Sequence, residues 1–232
     1  MSKPVQFVIE HLEEDDAESK NVPAWVELEY RHMLQLSPAD ATVHFTSLSS
    51  TSSALLLSTL ASPSSSSSSS SPARPQANAE AHTQGILELM KERNIPLERV
   101  CLLDPKAEKV IGTSDWEHDG SGEFDWFLFG GILGDDPPLD RTSILRKMGF
   151  PSRHLGPVQM TTDTALGATK LVVVDKIPLD KIEYNEFPTI SFSKSESVEM
   201  PFRYIKDQNG DPILPEGMKE HLRKDLDRAF EF

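Results

Sequence analysis

The stretch Phe124-Asp125-Trp126-Phe127-Leu128-Phe129-Gly130-Gly131-Ile132-Leu133-Gly134-Asp135-Asp136-Pro137-Pro138 decides the fold. Phe124 to Phe129 is apolar except at Asp125, as a strand buried on both faces is, and the glycines and prolines behind it mark a loop. A strand without polar alternation belongs inside a parallel sheet covered on both sides. Arg99 to Leu103 repeats the pattern upstream and runs into Leu103-Asp104-Pro105. Val5 to Ile9 and Ala41 to Thr46 supply two further strands.

Helical spacing fills the intervals. Pro23 to Leu36 carries Val26, Tyr30, Met33 and Leu34 at i, i+4, i+7 and i+8, with a proline near the first turn. Thr83 is placed to cap a helix bearing Ile86, Leu89, Met90 and Arg93, which Asn94 and Pro96 end. Leu139 to Met148 reads as a short helix. Thr161 to Val174 mixes helical spacing with a β-branched end, and the spacing predicts a helix. Strands alternating with helices imply a parallel α/β sheet.

The last third has a different texture. Thr189 to Lys194 and Met200 to Lys206 read as extended, Asp207-Gln208-Asn209-Gly210 as a turn, and Glu216 to Phe230 as an amphipathic helix. Residues 1–232 are read as a single domain, with 185–232 as an extension packed on it. Residues 64–71 are all serine, inside a Ser/Thr/Pro/Ala-rich tract at 46–81. That composition predicts a flexible insertion, because little apolar surface is available to offset the entropy of ordering.

Charge narrows the function. There are 37 acids against 23 Lys and Arg, a formal net charge of −14. Affinity for nucleic-acid backbone comes from Lys and Arg displacing counterions, so the balance argues against direct nucleic-acid binding and suits a basic partner. Cys101 is the single cysteine, which excludes a disulfide framework and a multi-thiolate zinc site. Its setting in an apolar strand makes it a core residue. No apolar run is long enough to cross a membrane, and the first nine residues do not make a signal peptide. A cytoplasmic protein is expected.

Motifs are mostly absent: no phosphate loop, no nucleophile elbow, no zinc helix. His11, His32, His44, His82, His118, His154 and His221 show no ligand spacing, and no metal site is expected. Three loops remain, each after a strand or before the late helix: Leu103 to Pro105, Gly130 to Pro138, and Leu155 to Asp163. Ligands of open parallel sheets sit at the carboxyl ends of strands, and glycines there let a ligand approach the backbone.

Taken in order, these segments resemble the SPOUT methyltransferases, and within them the fungal protein-arginine methyltransferases that modify a small-subunit ribosomal protein. The matching blocks are Phe7 to His11 with Trp25 to Tyr30, Val100 to Pro105, and Phe129 to Pro138 with Asp140-Arg141-Thr142. Gln159 to Ala165, Glu199 to Tyr204 and Pro212 to Met218 complete them. The resemblance implies a SPOUT-type α/β parallel sheet with a C-terminal trefoil knot over about Val100 to Val174, and a trailing β-hairpin and helix. It implies S-adenosylmethionine as cofactor. The pocket would be made by Leu103, Pro105, Gly130, Gly131, Gly134, Leu155, Gly156, Gln159, Met160 and Thr162.

Methyl transfer to arginine needs a carboxylate to orient a guanidinium whose pKa exceeds about 12. Asp135, in the second loop, and Glu10, ending the first strand, are the candidates. Glu13 and Glu14, in an acid-rich segment beside that strand, are candidates for holding a basic ribosomal-protein substrate. RNA methylation is the first alternative and is opposed by net charge. A cofactor-binding module without turnover is the second. The reading leans to a monomer and leaves a dimer open.

Overall fold

The chain runs through β1 (Gln6–Glu10), α1 (Ala24–Leu36), β2 (Thr42–Thr46), α2 (Ser50–Ala61), β3 (Asn78–Ala81), α3 (Ile86–Arg93), β4 (Val100–Leu103), β5 (Trp126–Gly130), α4 (Thr142–Lys147), β6 (Ser152–Arg153) and α5 (Thr162–Val173). This is a computed structural model, and it describes residues 3–17, 19, 21–62, 76–131, 140, 142–193 and 196–229. The strands form one six-stranded sheet in the order β3-β2-β1-β5-β4-β6, parallel at every pairing.

β1 and β5 pair in register from Gln6 opposite Trp126 to Glu10 opposite Gly130, so both end at the same level. Alternate side chains leave opposite faces of the sheet. Phe7, Ile9, Phe127 and Phe129 join Tyr30 and Met33 of α1 and Leu166 and Val172 of α5 in the larger core. Val8, Leu102 and Leu128 turn the other way, onto Ile86, Leu89 and Leu145 of α3 and α4. Both faces are covered, which is why the central strands carry no polar alternation. Cys101 is buried in the larger core, and burial pushes its thiol pKa up, as a structural cysteine requires.

The tail holds β7 (Tyr184–Glu186), β8 (Thr189–Ser191), β9 (Ser197–Glu199), β10 (Arg203–Ile205) and α6 (Met218–Ala229). β7 pairs with β10 and β8 with β9, both antiparallel. Ile190, Met200, Phe202 and Tyr204 form a small separate core, with Leu222 of α6 packed against it.

Two expectations are corrected. The tract 46–81 is not one flexible insertion: it contains α2 and β3, while residues 63–75, with the serine run, lie outside the described residues. Ser49 caps α2, its hydroxyl accepting from Ser52 N at 3.0 Å, and Leu56 and Leu60 bury one side. β3 holds to β2 through backbone pairing that a polar composition does not prevent. Second, Thr83 does not cap α3. Gly85 occupies that position without a side-chain bond, and the capping oxygen comes from Glu10 on β1.

Candidate active site

β4 and β5 end beside one another, and at their carboxyl ends the chain turns from strand to loop around a cleft of about 310 Å³. Its floor is Leu103 and Phe129, its far wall Leu155, Pro157, Val158 and Met160, and the first turn of α5 closes it with Thr162 and Ala165. The Thr162 hydroxyl donates to the Gly131 carbonyl at 2.7 Å, tying the helix start to the loop that leaves β5. Gly131 has φ of +64° and Gly156 of +96°, conformations that a side chain disfavours. The Gly156 N–H donates to His154 Nδ1 at 3.0 Å, which sets the course of the third loop.

The tail braces that loop from outside. Arg203 N–H donates to the Gln159 carbonyl at 3.0 Å, and the Arg203 guanidinium lies 4.5 Å over the Tyr184 ring while pairing with Glu186. Met160 bridges to Arg203 in parallel fashion.

Among the described residues, the charged groups that line the cleft are paired with one another. Arg146 on α4 grips buried Asp104 with two bonds, of 2.5 and 2.7 Å. The same guanidinium reaches Asp140 at 3.2 and 3.3 Å, and the Lys106 ammonium reaches Asp140 at 2.6 Å. Bonds from Arg146 and Lys106 hold the Asp140 carboxyl below the usual carboxylate range, and the Arg146 guanidinium is raised in return. The rest of the described lining is apolar carbon, the Gln159 amide, the Thr142 and Thr162 hydroxyls and glycine backbone.

Of the ten residues expected to hold a cofactor, Leu103, Pro105, Gly130, Gly131, Leu155, Gly156, Gln159, Met160 and Thr162 all line this cleft. Gly134 and Asp135 lie outside the described residues. Lys106, Asp140, Thr142 and Arg146 also line it, and sequence reasoning missed them because α4 comes to the site through an ion-pair network.

Glu10 is not at the cleft. It is buried, accepting from Thr46 Oγ1 at 2.5 Å, Ser47 Oγ at 2.6 Å and the Ile86 N–H at 3.0 Å. Both oxygens are engaged, and the third bond places a carboxylate on the N-terminus of α3, where the helix dipole favours negative charge. These bonds make Glu10 an anchor for α3, and it is not among the residues that line the cleft. In the acid-rich segment Glu14 is exposed and Glu13 half-buried, and the next residue, Asp15, accepts from Ser52 Oγ of α2 at 2.5 Å.

A family profile described as "Protein arginine N-methyltransferase SFM1-like" matches residues 6–229. The Saccharomyces cerevisiae protein arginine N-methyltransferase SFM1 is 40% identical over 226 residues, 95% of each chain. The chain belongs to the SFM1-like family of protein arginine N-methyltransferases. Solved structures agree: yeast SFM1 complexed with SAM is 35% identical at a TM-score of 0.74, covering 96% of this chain and 91% of that one. Yeast SFM1 complexed with SAH gives 35% and 0.73, covering 94% of each. A more distant structure, spTrm10 with SAH, has 11% identity and a TM-score of 0.51 over 78% of this chain and 94% of that one, a likeness of fold alone. The SPOUT-type α/β class expected from the sequence of this SFM1-like chain stands.

Proposed function

We propose that this SFM1-like chain holds S-adenosylmethionine in the cleft at the ends of β4, β5 and β6, and methylates an arginine of a basic small-subunit ribosomal protein. The observation that carries the reading is the convergence of three separate loops on one cleft whose charged groups, among the described residues, are already paired. Apolar walls with neutral donors and acceptors suit adenine and ribose. Its volume lies at the small end of the roughly 300–1,000 Å³ of small-molecule sites. Gly134, in the loop behind Gly131, belongs to the same proposed cofactor set, and the knot over about Val100 to Val174 to the same proposed fold.

The cofactor supplies a methyl on a sulfonium. The arginine nitrogen forms the new N–C bond as the C–S bond breaks, the electron pair stays on sulfur, and the nitrogen proton leaves to a carboxylate or water. The protein aligns acceptor and donor and keeps the cleft dry. With Glu10 committed to α3, Asp135 is the remaining candidate for orienting the guanidinium. Asp140 joins it, as a cleft-lining carboxylate held ionised and part exposed. Glu13 and Glu14 follow the end of β1, level with the end of β5, and would draw in a basic substrate.

No helix among the described residues is long and apolar enough to cross a membrane. A cytoplasmic monomer acting on protein without gripping nucleic acid is the reading that fits the acidic charge. Incubation with labelled S-adenosylmethionine and a cell extract tests it. Label that survives ribonuclease, is lost to protease and is recovered as methylarginine on a small-subunit ribosomal protein supports the proposal. Label recovered in nucleotides overturns it.

A further inference from the structure

At the far edge of the sheet from β6, two histidines and a glutamate meet. β2 and β3 pair in parallel with His44 opposite Glu80, and His82 lies two residues past Glu80, on the same side of the extended chain. Three donor atoms converge: His44 Nδ1 is 3.3 Å from His82 Nε2 and 3.5 Å from Glu80 Oε2, and His82 Nε2 is 3.4 Å from Glu80 Oε2.

The size of that triangle carries information. Zinc bonds to histidine and carboxylate are about 2.0–2.2 Å, so two ligands of a tetrahedral ion stand about 3.3–3.6 Å apart. Three ligands on one face of an octahedral ion with the same bonds would stand about 2.8–3.1 Å apart. The observed edges are those of a tetrahedral face.

The surroundings are built to match. His44 Nε2 lies 2.8 Å from Gln6 Oε1, an acceptor, so Nε2 carries the proton and Nδ1 presents its lone pair to the other two donors. A ligating imidazole characteristically has such a partner on its other nitrogen. The His44 ring is stacked on Trp126 at 5.1 Å and on His82 at 5.5 Å, which fixes its plane. His44 is buried while Glu80 and His82 are each half-buried, leaving a side for entry and for a water. Arg93 at the end of α3 donates to Glu80 Oε2 at 2.7 Å. That guanidinium is the cation now sharing the carboxylate, while the two imidazole nitrogens face each other at 3.3 Å.

We propose that His44, Glu80 and His82 form a tetrahedral site for a divalent transition metal of the zinc type, with water as fourth ligand. The site lies at the opposite edge of the sheet from β6 and acts as a clip between β2 and β3. Arg93 competes with the metal for Glu80. The non-local pairing of two strands assembles it, which is why the spacing of the histidines gave no sign of it.

The test uses the full chain without affinity-tag histidines, treated with chelator and titrated with cobalt(II), then with zinc(II). The proposal expects one equivalent of cobalt to give the absorption bands of tetrahedral coordination, zinc to displace it, and the melting temperature to rise on loading. Gln6→Ala should weaken binding about tenfold, within the usual range for such outer partners, and His82→Ala or Glu80→Gln by more. Arg93→Gln should tighten binding, an effect that a fold defect would not produce. His82→Ala, at a half-buried position, should melt in chelator as the unsubstituted chain does. Absence of a tetrahedral spectrum, or binding undiminished in both His82→Ala and Glu80→Gln, overturns the proposal.

Discussion

His32 on α1 and Asp163 on α5 meet with Nδ1 2.7 Å from Oδ2, both side chains buried, and so pin the two helices that cover one face of the sheet. The other Asp163 oxygen, Oδ1, is buried without a hydrogen-bond partner among the described residues, as is Glu29 Oε2. Burial, and then the charge of Asp163, push the Glu29 pKa well above its usual value. Tyr204 is raised as well, by burial first and then by these two carboxyls. A buried carboxyl that resists ionisation stabilises the fold in its protonated form.

The sign follows from linkage. The folded state binds the Glu29 proton more tightly than the unfolded chain, so this contribution is complete below the unfolded pKa of about 4.3 and is lost as pH rises through the raised folded pKa. Glu29→Gln keeps the shape and removes the titration. The melting temperature of Glu29→Gln minus that of the parent should be near zero at acidic pH and grow more positive as pH rises. A difference independent of pH would show that Glu29 does not titrate between the two states.

Glu10→Gln separates an anchor from a catalyst. The substitution replaces a carboxylate that accepts three bonds with an amide that serves them less well. Hydrogen bonds to charged groups contribute about 1.5–3 kcal/mol, so denaturant unfolding should reveal a loss of that order. Turnover per folded molecule should be nearly unchanged. A collapse of turnover at full stability would return Glu10 to the reaction.

Gly131→Val tests the cleft as cofactor site. A β-branched residue at φ of +64° costs about 1–2 kcal/mol, and its side chain would stand where Gly131 lines the cleft. Calorimetry should show S-adenosylmethionine affinity lowered by about tenfold or more, with the melting temperature down by only a few degrees. Unchanged affinity would move the cofactor elsewhere.

What the sequence made legible follows from how local each signal is. β4 and β5 were readable because a strand buried on both faces must be apolar along its whole length, and α1 because its buried stripe repeats at helical spacing. β6 was not, since Ser152 and Arg153 are two polar residues. Arg153 is buried only because Asp115 binds its guanidinium at 3.1 Å, Glu123 at 2.6 Å, and the Phe124 ring lies 4.8 Å away. Serine-rich composition hid α2, whose buried contacts rest on Leu56 and Leu60. The cleft was readable from glycine-bearing loops behind strands. The Asp104–Arg146–Asp140–Lys106 network and the true partner of the α3 terminus were not, because each joins residues distant in sequence.

The last prediction concerns how the substrate arrives. With a net charge of −14 and a carboxylate-rich segment following β1, a basic protein should be steered toward that end of the sheet. Steering acts on encounter and fades as the Debye length falls from about 8 Å at physiological salt to about 3 Å near 1 M. Glu13→Gln with Glu14→Gln should therefore raise KM for the protein substrate about threefold to tenfold at low salt while leaving kcat nearly unchanged, since neither side chain lines the cleft. At high salt the parent should lose its advantage and the two should converge. S-adenosylmethionine affinity should be the same in both throughout. A KM ratio that persists at high salt would mean direct contact in place of steering, and an unchanged KM at low salt would remove this segment from substrate recognition.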